Sequence, residues 1–286
     1  MKNRKDLILL SLLVLIWGGN WANLKIGLTY VTPMNSVFQR LFFSTFMIAP
    51  FLLLCKNGIR RDYRTLAKVV VLSAAWAFSM IFMMVALEFE SSGTSSIITY
   101  TQPLFVFALS AIFLKNEITK VKVAGVLLGF AGIGIIYLDR IGSQAAGGSI
   151  LPILLLILGA FLWAVSIVCY KTIAAAVHPY WISFFQVSIG SIIVFPLAIL
   201  TGGISFPYEL TYILSLVYLT VIATVLGFFL WFYLIKNEDT TTVSSSTLTI
   251  PIVAFIIGAI VLGEPVNPLQ IVGIIMVLTG VYLVNR

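Results

Sequence analysis

Ten apolar runs divide this chain: 7–25, 33–54, 66–88, 93–113, 119–138, 150–170, 179–200, 210–235, 242–262 and 267–284. Each approaches the roughly 20 residues that a helix needs to cross a bilayer's hydrocarbon core. Lipid offers the backbone no hydrogen-bond partner, so such runs must be helical unless they close into a barrel. The alternating ten-residue segments of a barrel are absent from the sequence. The connections, among them Lys56–Arg64, Asp139–Ser149, Thr201–Glu209 and Lys236–Thr241, leave no room for a separate soluble domain. The pattern predicts an all-α integral membrane protein with ten transmembrane helices.

The runs repeat. At an offset of 146 residues, Trp17, Lys25, Pro33, Phe38 and Pro50 match Trp163, Lys171, Pro179, Phe184 and Pro196. At an offset of 148, Thr94, Ser96, Thr99, Thr101 and Pro103 match Thr242, Ser244, Thr247, Thr249 and Pro251, and Gly125 and Gly132 match Gly273 and Gly280. Each copy holds five spans, an odd number, so the second must enter the membrane from the opposite side. The chain therefore reads as two inverted five-helix repeats, residues 1–145 and 146–286, forming one membrane domain. In such carriers the site lies near mid-membrane, between the repeats.

Composition agrees, with 60% hydrophobic residues, 9% charged and a mean hydropathy of +1.10. A soluble domain has about 25% charged residues. The net charge of +7 does not point to nucleic acid, because no basic stripe with interleaved aromatics forms a binding face. With the N-terminus inside, 14 of the 17 Lys and Arg fall on the cytoplasmic side. That asymmetry predicts a multi-pass cell-membrane protein with both termini cytoplasmic. The apolar run after Asp6 continues to about Ala22 with no clean cleavage site, so it is read as a retained span. Cys55 and Cys169 are read as packing residues and His178 as a loop residue; no metal site is expected.

Trp17-Gly18-Gly19-Asn20-Trp21 leading to Lys25, then Arg40, then Gly93-Thr94-Ser95-Ser96 leading to Pro103, form an ordered series. Glu117 with Gly125 and Gly132 follows, and Leu262-Gly263-Glu264-Pro265 with Gly273 and Gly280 closes it. The series resembles the EamA family of the drug/metabolite transporter superfamily, over nearly the whole chain. The resemblance implies a ten-helix inverted-repeat carrier, often an exporter of amino acids or other metabolites.

Arg40 is the ionisable side chain deepest in a span, and its counterpart is Gln186. A charge in hydrocarbon is costly, which marks Arg40 either as a receiver of a substrate carboxylate or as a structural clamp. Pro103 and Pro251 are expected to bend their spans at matching positions. The polar residues before them, Ser96, Thr99 and Gln102 and then Ser245 and Thr249, are candidates to bind substrate or to satisfy freed carbonyls. Trp17 with Asn20, Trp76 with Ser79, and Trp163 with Ser166 are candidates to line an aromatic cavity with a few polar groups. Glu117 and Glu264, just beyond their spans, are read as caps or loop partners. The glycines suit either internal helix packing or a dimer face.

A carrier working by alternating access, binding a small organic molecule such as an apolar amino acid, fits these features. The other readings are a lipid-linked transferase and a channel. The first would show clustered acids or a His-based site, and no acid lies in a span interior. No catalytic residue and no cofactor are expected, and exchange or facilitated diffusion is expected over tight proton coupling. Oligomeric state is not written in the sequence.

Overall fold

A computed structural model describes residues 4–54, 58–59, 62–114, 118–142, 149–237 and 247–285. The helices are α1 (Arg4–Gly27), α2 (Pro33–Ile48, continued by a 3-10 turn Ala49–Leu54), α3 (Tyr63–Phe89), α4 (Ser92–Thr99), α5 (Gln102–Phe113) and α6 (Lys120–Gly142). They continue with α7 (Leu151–Lys171), α8 (Pro179–Leu200), α9 (Leu210–Val217) and α10 (Gly227–Asn237). The last are α11 (Ile250–Val261), entered by a 3-10 turn Thr247–Thr249, and α12 (Pro268–Asn285). A π-helical segment, Tyr218–Leu226, joins α9 to α10. Among the described residues nine helical stretches are long and apolar enough to cross a membrane, and Thr247–Val261 is a shorter tenth. α4 with α5 makes the fourth span, and α9, the π segment and α10 make the eighth.

Local chemistry starts each helix where the sequence changes from polar to apolar. Thr32, Asp62 and Ser91 accept the backbone N–H three residues on, and His178 caps α8 through Nδ1. α8 ends on Gly202 and Gly203, both at positive φ, a backbone region that residues with a Cβ rarely adopt. Leu7, Leu15, Phe46, Ile112, Leu127, Ile192 and Leu200 point outward, as a lipid-facing surface requires.

The packing has an internal two-fold. Spans two, four and five each pack on their own counterpart: α2 on α8, α4 on α11, and α6 on α12. The larger of the other contacts between the halves come in mirrored pairs. α3 on α7 is answered by the eighth span on α1; α3 on α8 by the π segment on α2; and α1 on α11 by α7 on α4 and α5. Each half thus buries its apolar faces mainly against the other half.

The glycines decide how closely α6 and α12 approach. A Cβ on Gly125 would lie 2.7 Å from the Gly280 carbonyl, and one on Gly132 would lie 2.7 Å from that of Gly273. These residues therefore serve internal backbone-to-backbone packing, not an outer face.

Candidate functional site

The first half breaks its fourth span. α4 ends at Thr99 and α5 begins at Gln102, with Tyr100 and Thr101 in a turn. Pro103 stands in the first turn of α5, where its missing N–H costs little. Pro251 sits in the first turn of α11, directly after the Thr247–Thr249 turn. The expected bend in a continuous helix is a restart in the first half, and Pro251 likewise stands at a helix start, because Pro starts a helix more readily than it continues one.

The turn at Tyr100 packs into the largest apolar cluster, beside Trp21, Phe38, Leu41, Trp76 and Phe228. Its ring meets Trp163 edge-on at 6.1 Å. The buried oxygens of Ser96 and Thr99, Gln102 Oε1 and Asn20 Oδ1 have no hydrogen-bond partner. Ser166 accepts a bond from Gln186 Nε2 at 3.3 Å. Trp76 borders Gly190, where a Cβ would come within 3.9 Å of its ring. Ser79 is buried against Gly159 of α7 and contacts Met83 Sδ at 3.8 Å. Thr249 is exposed, and Ser245 lies outside the described residues.

Arg40 and Trp17 meet at the π segment. Trp17 Nε1 donates to the Ala223 carbonyl at 3.0 Å, Arg40 Nη2 donates to Thr224 Oγ1 at 3.5 Å, and Tyr218 OH donates to the Ile16 carbonyl at 2.8 Å. Thr224 Oγ1 itself donates to the carbonyl five residues back, Leu219, at 2.8 Å. A π-helix widens the backbone and loosens its ladder, and side chains from α1 and α2 hold this one in place. Gly227 makes the Trp17 contact possible, since a Cβ there would lie 2.5 Å from Nε1. Nothing in the residues Tyr218 to Leu226 announces a π-helix, so the sequence did not point to Thr224 or Tyr218. Below this point a cleft of about 10 Å³ lies between α2, α8 and the eighth span, lined by Ile48, Phe51, Tyr180, Ser183 and Phe228. That is room for about one water.

The sequence model of the EamA-like transporter family matches the chain twice, over residues 4–138 and 150–286. The chain belongs to the EamA-like transporter family. An "Uncharacterized transporter" of Archaeoglobus fulgidus is 28% identical over 284 residues, with 99% of each chain covered. A "Probable amino-acid metabolite efflux pump" of Escherichia coli is 27% identical over 98% of this chain and 95% of its own. The Salmonella typhimurium protein of that name is 25% identical over the same shares. A solved crystal structure superimposes with a TM-score of 0.66 over 98% of this chain and 96% of its own, at 17% identity, and shares the fold. In this EamA-like chain one end of the bundle is tied by helix-end chemistry where α3 gives way to α4. Lys25, at the end of α1, donates to the carbonyls of Glu88 and Glu90 at the end of α3. Glu264 accepts from Ser92 N at 2.6 Å, Ser92 Oγ at 2.9 Å and Gly93 N at 3.2 Å at the start of α4. A cation on a helix C-terminus and an anion on an N-terminus each complement the dipole. The counterpart Glu117 lies outside the described residues.

Proposed function

We propose that this membrane transporter exports small carboxylate-bearing metabolites, apolar amino acids first among them, by alternating access around a site between its two repeats. The observation that carries the reading is the Arg40 guanidinium, set between the halves with Nη1 buried and unpartnered. A guanidinium binds a carboxylate with two parallel hydrogen bonds and holds it against misorientation. The aromatic side chains of the central cluster, Trp76, Tyr100 and Phe228, with Trp163 against Tyr100, suit an apolar substrate body. The buried oxygens of Asn20, Ser96, Thr99 and Gln102 lack donors and suit a substrate ammonium. Two relatives bear the name of amino-acid metabolite efflux pumps, which favours the same substrate class.

The mirrored contacts between halves support alternating access. Rocking one half on the other exchanges the two members of each mirrored pair, which opens one end as it closes the other. The excess of Lys and Arg on one side supports a topology with both termini in the cytoplasm of the cell. No described span carries an interior acid to relay a proton, which favours exchange or facilitated diffusion. The test is counterflow of radiolabelled amino acids in liposomes. Saturable uptake accelerated by internal unlabelled substrate supports a carrier, and uptake linear in concentration without exchange contradicts it.

A further inference from the structure

A guanidinium held inside a membrane protein without a carboxylate leaves a charge that something must neutralise. No Asp or Glu lies in the interior of any described span, and Arg40 makes no ion pair among the described residues. Among the described residues its hydrogen-bond partner is the Thr224 hydroxyl, which is bound to Nη2, while Nη1 is sealed from solvent and unpartnered. An unneutralised ion in such surroundings carries a desolvation penalty that a partner of opposite charge offsets.

Thr224 is built to hold Arg40 in that posture. Its hydroxyl proton is committed to the Leu219 carbonyl at 2.8 Å, so its oxygen offers Arg40 only lone pairs. The residue is 4% exposed. The carbonyl one residue earlier, Ala223, is fixed by Trp17 Nε1 at 3.0 Å. Two ties therefore set the orientation of Thr224, and through it the direction in which Nη1 points.

The geometry points to a resident anion site at Arg40, occupied by a small monovalent anion whenever no substrate carboxylate is bound, with Thr224 as its positioning residue. This rests on the central placement of Arg40 in the reading above, but it does not depend on transport. The chemistry shared by the two occupants is a compact single negative charge, whether a free halide or the carboxylate of the substrate. Loading substrate is then an exchange of anions at one guanidinium, and the charge of Arg40 is never left bare.

The test is thermal unfolding of the purified full-length protein in lipid nanodiscs, titrated with chloride, acetate or the bulkier isethionate at matched ionic strength. A ligand that binds only the folded state raises Tm as its concentration passes Kd. We expect chloride and acetate each to raise Tm in a saturating way and isethionate to do so far less. Thr224→Val should weaken the apparent affinity about tenfold, and Thr224→Ser, which keeps the hydroxyl, should restore it. Arg40→Gln should abolish the shift, and Arg40→Lys should keep part of it, so a loss of folding in one variant does not remove the test. If acetate alone stabilises, the site is assigned to the substrate's carboxylate. Equal shifts with all three salts, or a full shift in Arg40→Gln, overturn the proposal. Failure here with counterflow intact would leave the carrier reading standing.

Discussion

Asn35 and Trp181 are counterparts, 146 residues apart, and they close opposite ends of the bundle by opposite chemistry. Asn35 Nδ2 donates to the Ser205 carbonyl at 2.8 Å, and Gln39 Nε2 donates to the same oxygen at 2.7 Å. Tyr212 OH completes the network on Gln39 Oε1 at 2.9 Å. In the other half Trp181 and Phe185 take the places of Asn35 and Gln39, and Ile59 takes that of Ser205. These three pack with Val69, Leu72, Ile173 and Val177 in an apolar plug. One end is therefore closed by hydrogen bonds and the other by apolar packing, on the same backbone plan.

Asn35→Ala should loosen the hydrogen-bonded end and not the apolar one. A net hydrogen bond is worth about 1 kcal/mol, so the open population at that end should rise about fivefold. The measurement is labelling of a cysteine introduced at Leu28, with Cys55 and Cys169 replaced, by a membrane-impermeant maleimide. Trp181→Ala should leave that rate unchanged.

Gly132→Val should destabilise strongly, because its Cβ would meet backbone that cannot step aside, the Gly273 carbonyl at 2.7 Å and Val277 N at 2.8 Å. A cost of about 1–3 kcal/mol is expected from overpacking. Gly134, with open space around it, should accept Ala with no fall in Tm. Thermal unfolding of the two variants checks this directly.

Glu264→Ala should cost about 1–2 kcal/mol, since the first N–H groups of α4 lose their acceptor. Glu264→Gln should lose less, because one oxygen remains. Unfolding by a detergent-compatible thermal assay gives both values, and equal stability of all three proteins would contradict the capping role.

Trp17→Phe keeps the ring and removes the bond to Ala223. The protein should stay folded, since Trp17 still packs on Trp231 and Phe228. The affinity for substrate should fall several-fold as the π segment loses a tie. Substrate-dependent tryptophan quenching or binding calorimetry measures it.

The spans, their repeat and the family were legible because each rests on periodic signals: apolar run length, Trp, Lys and Pro in one register, and Gly spacing. Arg40 stood out because charge is rare in hydrocarbon. The caps made by Lys25 and Glu264 were half legible, since both flank spans, but their partners lie 60 or more residues away. The π segment was hidden. Tyr218 to Leu226 reads as an ordinary apolar stretch, and its geometry is held by Trp17 and Arg40 from outside and by the bond of its own Tyr218 to the Ile16 carbonyl. The two closed ends were equally hidden, because an Asn matched to a Trp looks like a lost repeat position until the packing pairs each with its loop.

The central claim is that Arg40 receives the carboxylate of a transported molecule. Counterflow of an apolar amino acid and of its methyl ester, in liposomes holding wild type or Arg40→Ala, tests it most directly. The account predicts saturable exchange of the acid by wild type, a loss of at least about tenfold in Arg40→Ala, and little discrimination by the variant between acid and ester. Unchanged exchange of the acid by a folded Arg40→Ala protein would contradict it.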